Sequence, residues 1–191
     1  MAQDEWFFKD MLRGKTTKLA PPPETVHFKV RSPLYHLDIS GDQTKEYINF
    51  LNEDGKQIVK IYNSNRENIL TQKLQIKGHD ARVYKITTKQ ISVNRKLTIL
   101  HFFEGKTDYL EKKGSSVIYG LVVEDGKLTN LEMKKLTGVW IESQIRENYY
   151  RRPYEIYFED LDKDGTYELI VHSGKVHQVI FYKGKNEWHT L

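Results

Sequence analysis

The sequence predicts an all-β fold, and three observations carry that prediction. Tyrosine, phenylalanine and tryptophan make up 12% of the 191 residues, and these residue types favour strands. From Thr25 onward, short runs that alternate apolar and polar residues are separated by turn-forming residues. The order of loop, strand, glycine turn and strand then occurs twice, which indicates an internal repeat. We expect about three antiparallel four-stranded meanders, at roughly 27–76, 82–135 and 154–191.

The most specific chemical pattern is an acidic loop at residues 160–168, called the second loop below. Asp160, Asp162 and Asp164 occupy alternate positions, Gly165 allows a sharp turn, and Glu168 follows three residues later. This spacing places several carboxylate oxygens on one side of a tight loop, as a hard cation such as Ca²⁺ requires. Without a cation these carboxylates would repel one another, so the pattern predicts a calcium site rather than a metal-free polar turn.

The residues that flank the second loop exclude a helix-loop-helix calcium site. Such a site needs a glutamate at loop position twelve, which is Val171 in this chain. It also needs helices, whereas 154–158 and 167–171 are short, aromatic and β-branched. We therefore expect the loop to join two antiparallel strands.

A related pattern at residues 38–46, called the first loop below, supports the repeat. Asp38, Ser40, Asp42 and Glu46 stand at the same four offsets, 122 residues before their counterparts. If one unit without a calcium loop lies between them, the repeat is about 61 residues long. Residues 90–94 then take the place of the loop in the middle unit.

The segment 160–171 resembles the calcium loop of FG-GAP or VCBS repeats, the blades of integrin-α-like β-propellers, and 38–48 resembles a degenerate copy. In that family the first, third, fifth and ninth loop positions give side-chain ligands and the seventh gives a carbonyl. The resemblance therefore implies Ca²⁺ as cofactor and the following ligands: Asp160, Asp162, Asp164, Thr166 and Glu168, then Asp38, Ser40, Asp42, Thr44 and Glu46. The first loop departs from the pattern at Ser40 and at Gln43, which replaces the turn glycine.

The resemblance also implies a propeller-like arrangement of the meanders. Three blades fall short of the roughly four to eight that close an ordinary ring. Three arrangements remain open: a small propeller variant, a propeller fragment completed by another chain, and a curled sandwich of meanders. Within the middle unit, residues 124–127 predict a hairpin turn that joins 116–123 to a strand at 128–133.

Residues 1–24 form a separate N-terminal segment, and the β domain covers 25–191. Residues 3–13 predict a short helix with Trp6 and Phe7 near one face, followed by a stiff proline-rich connector. Aromatic side chains on so short a helix need a covering surface, either on the same chain or on a partner protein.

A second candidate partner surface interleaves aromatic and cationic residues: Tyr149, Tyr150, Arg151 and Arg152. The favoured interpretation of this tip, however, is a solvated loop whose tyrosines pack on a neighbouring blade. The preceding residues, 139–145, fit either a helix or a strand.

Composition and motifs favour a non-enzymatic protein. The chain has no cysteine, which excludes disulfides, thiolate metal ligands and cysteine nucleophiles. None of its seven histidines has zinc-site spacing, and it contains no nucleophile elbow, phosphate loop or dinucleotide fingerprint. No apolar run approaches the ~20 residues of a membrane helix, so we expect no membrane span. The net charge of +4 is spread along the chain rather than concentrated in a basic run.

These observations and the resemblance predict a calcium-binding, propeller-like module that holds a surface against another protein. Calcium loops of extracellular modules bind at only ~10⁻⁴ to 10⁻³ M, so we expect a periplasmic or secreted protein, as part of a multi-subunit envelope or exported assembly. The alternative is a carbohydrate-binding, adhesive or polysaccharide-active surface domain. A third, less favoured alternative is a basic nucleic-acid-binding module, and no small-molecule substrate is expected.

Overall fold

The fold is all-β, as predicted. The computed structural model describes residues 25–29, 32–54, 56–78, 81–107, 111–145, 148–151 and 154–191. These residues form fourteen strands and no helix. Within this part of the chain, then, there is also no apolar helix with the length to cross a membrane. The predicted N-terminal helix, its connector and the boundary at residue 24 lie outside the described residues.

The strands follow one another along the chain, mostly through short turns. Their bounds are β1 Val26–Lys29, β2 Leu34–Leu37, β3 Glu46–Glu53, β4 Lys56–Tyr62, β5 Asn68–Lys73, β6 Arg82–Ser92, β7 Arg95–Thr107, β8 Glu111–Glu124, β9 Lys134–Ile145, β10 Asn148–Arg151, β11 Glu155–Glu159, β12 Glu168–Ser173, β13 Val176–Gly184 and β14 Glu187–Thr190.

Three antiparallel sheets result, and each contains one of the predicted meanders. The first sheet has the order β2-β3-β4-β5 and the third has β11-β12-β13-β14. The middle sheet has six strands rather than four, in the order β1-β6-β7-β8-β9-β10. Its meander is β6 to β9, so it extends to residue 145 instead of ending at 135 as predicted, and one short strand is added at each edge.

The position of strand β1 shows that the predicted start of the first meander is wrong. Residues from 27 onward were expected to open that meander, but Val26 pairs with Thr88 of β6, at the edge of the middle sheet. Propensity identified the strand correctly. Its partner depends on a pairing between residues about 60 positions apart, which local sequence does not encode.

The strand predicted at 128–133 is wrong. Asp125 and Gly126 form the expected turn, both with positive φ. The chain then runs without regular structure to β9, which begins at Lys134. The amide of Met133 donates to Gln72 Oε1 at 2.8 Å, and Gln72 Nε2 donates to the Met133 carbonyl at 2.6 Å. A side chain of the first sheet therefore replaces the hydrogen bonds that a strand partner would supply.

Residues 139–145 belong to a strand, so the helical alternative is wrong. They lie in β9, which pairs with β8 from Gly120 to Glu111. The chain then turns back into the edge strand β10, where Tyr149 pairs with Gln144. The backbone of 149–151 is thus an edge strand rather than the predicted loop.

The central parts of β7 and β8 in the middle sheet are buried on both faces. Alternate residues of β7 enter different cores: Leu100 and Phe102 pack against the first sheet, and Leu97 and Ile99 against the third. The side chains of β8 alternate between the same two cores. This arrangement explains why Leu97–Phe103 is apolar at most positions instead of alternating with polar residues.

A hydroxyl network also joins the middle sheet to the start of the third. The imidazole of His101 is fully buried, with Nδ1 2.5 Å from the Tyr154 hydroxyl and Nε2 2.9 Å from Thr87 Oγ1. The Tyr84 hydroxyl lies 2.5 Å from that of Tyr154. Burial raises the pKa of Tyr154 above its usual range, so its hydroxyl stays neutral. Tyr154 immediately precedes β11, so the network fixes where that strand begins.

Replacement of Phe102 by alanine tests whether the core between the first and middle sheets stabilises the fold. The fully buried Phe102 ring meets those of Phe50 and Tyr119 edge-on, with centroids 6.2 and 5.9 Å away. We expect Phe102→Ala to lower the free energy of unfolding by about 3–5 kcal/mol in urea titrations. Val93→Ala is the control, since the Val93 side chain is fully exposed and its loss should change stability by about 0.5 kcal/mol or less. Similar losses in both variants would contradict this core assignment.

Candidate metal centre

The two acidic loops occupy the same structural setting, as the repeat predicts. Each connects the first and second strands of its meander. The first loop follows β2 and ends where Leu37 pairs with Glu46, and the second follows β11 and ends where Glu159 pairs with Glu168. The corresponding connection in the middle sheet is a short turn closed by the pair Ser92 and Arg95. The middle unit therefore lacks the calcium loop, as expected.

A buried glutamate anchors each loop from its ninth position. Glu168 is 3% exposed, and its Oε2 accepts a hydrogen bond from the Leu161 amide at 2.7 Å. Glu46 is 1% exposed, and its Oε2 accepts from the Ile39 amide, also at 2.7 Å. Both glutamates hold the second residue of their own loop, so the two turns have a common scaffold.

The first aspartate of each loop also has matching partners. Asp160 Oδ2 accepts a hydrogen bond from the Gly165 amide at 3.1 Å. Asp38 Oδ2 accepts from the amide of Gln43 at 3.2 Å, at the same offset in its loop. Each of these carboxylates is therefore turned toward the inside of its loop.

The fifth position of each loop closes a small turn on the seventh. Asp164 Oδ1 accepts from the Thr166 amide at 2.7 Å, and Asp42 Oδ1 accepts from the Thr44 amide at 2.8 Å. The hydroxyl and amide of Thr44, followed by the Ser40 hydroxyl, lower the pKa of Asp42. In each loop, the carboxylate at the fifth position is therefore held by the backbone of its own loop.

The backbone conformations agree as well, although the sequences differ. Left-handed φ angles occur at the fourth and sixth positions of both loops: 89° at Gly41 and 73° at Gln43, then 62° at Lys163 and 85° at Gly165. Each loop places glycine at one of these positions and a longer residue at the other. Gln43 therefore adopts the turn conformation despite the steric cost of its Cβ atom.

Three acidic side chains of the second loop converge on one point. Single oxygens of Asp160, Asp162 and Glu168 all lie within 4.8 Å of one another. Among the described residues, this is the group of at least three acidic, histidine or cysteine side chains whose geometry suits a metal ion. Burial, and then the nearby aspartates, raise the pKa of Glu168.

One carboxylate oxygen in this group lacks a hydrogen-bond partner. Asp160 Oδ1 is buried and accepts no hydrogen bond. Within the described part of the chain, no lysine or arginine forms an ion pair with a carboxylate of the second loop. A buried carboxylate oxygen without a partner is costly, and a bound cation would remove that cost.

The other predicted ligands of the second loop lie beside this group. Asp164 does not belong to the converging set, and its Oδ1 holds the Thr166 amide instead. Thr166 itself is buried, at 7% exposure. The structure thus brings together three of the five positions implied by the resemblance.

The first loop has the same convergence with one carboxylate fewer. Ser40 Oγ lies 3.4 Å from both Asp38 Oδ1 and Glu46 Oε1. In addition, Lys96 of β7 places its ammonium nitrogen 3.0 Å from Asp38 Oδ2. Sequence reasoning missed Lys96, because it is 58 residues from Asp38 and belongs to no motif.

The hairpin between β6 and β7 contacts both loops. The amide of Tyr167, beside the second loop's glutamate, donates to the Ile91 carbonyl at 2.7 Å. Lys96, on the other strand of the hairpin, reaches the first loop. The three connections between first and second strands therefore lie close together.

The predicted partner surfaces are not tested by the structure. Trp6, Phe7 and Arg152 lie outside the described residues. Tyr149, Tyr150 and Arg151 are placed only by their backbone, in the edge strand β10.

Comparison of the chain with protein-family models, curated proteins and solved structures gives no match. The resemblance to FG-GAP or VCBS repeats therefore rests on the loop residues and their spacing.

The raised pKa of Glu168 predicts a pH dependence with a definite sign. The folded, metal-free protein binds a proton at Glu168 more readily than the unfolded chain does, so its stability should fall as pH rises through that pKa, above the ordinary value of 4.5. Calcium competes with this proton, so the rise in melting temperature caused by calcium should shrink between about pH 7.5 and pH 5.

Glu168→Gln is the matched control, because it keeps the side chain's shape and removes its titration. In this variant we expect both the pH dependence assigned to Glu168 and the calcium-induced shift to be lost. A calcium-induced shift of the same size at both pH values in the unmodified protein would contradict the assignment.

Proposed function

We propose that this protein is a non-enzymatic calcium-binding β module in which the ion fixes the corner between β11 and β12. One observation carries the proposal: the carboxylates of Asp160, Asp162 and Glu168 converge within 4.8 Å, and Asp160 Oδ1 is buried without a partner. The ion would neutralise three acids and occupy the position toward which they point.

The donor set favours calcium over softer metals. All three converging groups are carboxylates, which suit hard cations such as Ca²⁺, Mg²⁺ and Mn²⁺ better than zinc or copper. Calcium takes about six to eight oxygens in flexible geometry, whereas magnesium demands a near-ideal octahedron. The resemblance adds Asp164 and the Thr166 carbonyl as further ligands, and water completes the shell.

The proposed role of the ion is structural. Both ends of the second loop are fixed to well-packed strands, since Phe158 pairs with Leu169 and Leu169 is buried in the core shared with the middle sheet. Because the ligands come from one connection between paired strands, binding energy adds directly to the stability of the third sheet. Sites of this kind in extracellular modules need calcium at ~10⁻⁴ to 10⁻³ M, which supports a periplasmic or secreted location.

The proposed biological role is to present a rigid surface to another protein, in an envelope or exported assembly. A propeller-like arrangement of the three meanders is part of this proposal. The sheets are open, and the middle one ends at β10 among the described residues. An edge strand offers unpaired backbone groups to a partner strand. Tyr149, Tyr150 and Arg151, of residue types common at interface hot spots, lie on this strand.

A second candidate function, carbohydrate binding, is favoured by a cavity of about 390 Å³ between the middle and third sheets. Its lining includes the polar residues Asp125, Thr129, Asn130 and Asn186, together with Tyr182. Pockets of this size hold small ligands, and these hydroxyl, amide and carboxylate groups match the hydroxyls of a sugar. Retention on a glycan array that Asn130→Ala abolishes, with the fold intact, would favour this candidate over a purely structural module.

Calorimetric titration with calcium tests the proposed metal site. We expect binding at about 10⁻⁴ to 10⁻³ M for the unmodified protein, and a loss of at least about tenfold for Asp162→Ala. Calcium at ten times its dissociation constant should add about 1.4 kcal/mol of stability, or about 3–5 °C in melting temperature.

Glu155→Gln is the matched control for this experiment. It removes an exposed carboxylate from the same sheet, at the end of β11 that lies away from the second loop. We expect it to bind calcium like the unmodified protein. Equal heats for all three proteins, or none for any of them, would rule out the site.

A further inference from the structure

The first loop contains a cation supplied by the chain itself. Lys96 Nζ lies 3.0 Å from Asp38 Oδ2, and the Lys96 side chain is only 16% exposed. The stem of this lysine runs beside Gly41, because a Cβ atom built on Gly41 would lie 3.6 Å from Lys96 Cδ. The ammonium therefore reaches the carboxylate along a packed path rather than from open solvent.

The ammonium contacts the loop position that corresponds to Asp160 of the second loop. Asp38 and Asp160 both begin their loops, and each accepts a backbone amide from the sixth position. The converging oxygens are equivalent too: Ser40 Oγ is 3.4 Å from Asp38 Oδ1 and Glu46 Oε1. Lys96 therefore pairs with the first aspartate of the loop through Oδ2, the oxygen that also accepts the sixth-position amide, whereas the converging oxygen of that carboxylate is Oδ1.

The two loops differ in negative charge, and this difference fits the different cations that we assign to them, an ammonium in the first loop and a divalent metal ion in the second. The converging group of the second loop has three carboxylates, whereas that of the first has two, because Ser40 stands where Asp162 does. The single positive charge of an ammonium therefore neutralises a larger share of the first loop's negative charge than it would of the second loop's. Asp38 is then paired, whereas Asp160 Oδ1 has no partner.

We propose that the Lys96 ammonium supplies the positive charge of the first loop in place of a metal, so that the protein holds a single calcium ion, in the second loop. The inference rests on the proposed function in so far as it treats the second loop as a metal site. It adds that the first loop is excluded from calcium by Lys96 and accepts a divalent cation once that ammonium is removed. The ammonium neutralises the Asp38 carboxylate, whose negative charge a divalent ion would need.

The architecture explains how one lysine can serve this loop. The connection in the middle unit is shortened to a tight hairpin, and Lys96 follows it on β7, paired with Val123. A calcium loop at that place would separate β6 from β7 by several residues. Loss of the middle loop and a metal-independent first loop are thus two consequences of the same hairpin.

The test uses variants in which the second loop is disabled by Asp162→Ala. Melting temperatures are measured in chelator and in about 10 mM calcium. We expect no calcium-induced shift for Asp162→Ala alone, a shift of about 3 °C for Asp162→Ala with Lys96→Ala, and none for Asp162→Ala with Lys96→Arg, which keeps the positive charge. No shift in the variant with Lys96→Ala, or a shift in Asp162→Ala alone, would overturn the proposal.

The number of ions bound by the unmodified protein gives a measurement that needs no substituted variant to fold. One calcium ion per chain supports the inference, and two ions overturn it while leaving the proposed function intact. No bound ion in the unmodified protein would instead refute the proposed function. In that case the calcium-induced shift in melting temperature of the variant with Lys96→Ala still shows whether the lysine prevents a cation from binding to the first loop.

Discussion

Burial of the central strands of the middle sheet, β7 and β8, on both faces is the constraint on which the rest of the structure depends. Strands β7 and β8 direct alternate side chains into two separate cores, with Phe102 and Leu121 on one side and Ile99 and Ile118 on the other. The first and third sheets each have one face committed to this central layer. Their strands, and the loops that join them, are therefore placed by packing against a common element.

This layering also accounts for the polar groups that are buried between the sheets. His101, Thr87, Tyr84 and Tyr154 satisfy one another within the contact between the middle sheet and the start of the third. A buried polar network of this kind tolerates little displacement, because each lost hydrogen bond leaves an unpaired group in a low-dielectric setting. It therefore defines the position of the third sheet more narrowly than apolar contacts alone.

Much of the fold follows from local sequence because most strands are rich in aromatic and β-branched residues and are bounded by turns. The repeat was visible in the spacing of Asp38 and Asp160, which do lie in equivalent corners. Sequence was least informative where long-range pairing decides the outcome. Strand β1 joins the middle sheet instead of its neighbour in the chain, and Gln72 replaces the strand expected at 128–133.

The convergence of carboxylates was predictable for a different reason: all the candidate ligands lie within nine consecutive residues. The structure does bring Asp160, Asp162 and Glu168 together, although Asp164 holds a backbone amide instead of converging with the others. The lysine of the first loop was invisible for the opposite reason. Lys96 reaches Asp38 only because the sheets are stacked, and no pattern within either segment encodes that distance.

The two loops carry glycine at different positions, and this affects how such loops can be found in a sequence. Gly41 and Gly165 stand at different positions, yet both loops contain the same pair of left-handed residues. Two loops can therefore share one backbone conformation although their glycines stand two positions apart. A search template that requires glycine at one fixed position would find only one of these two loops.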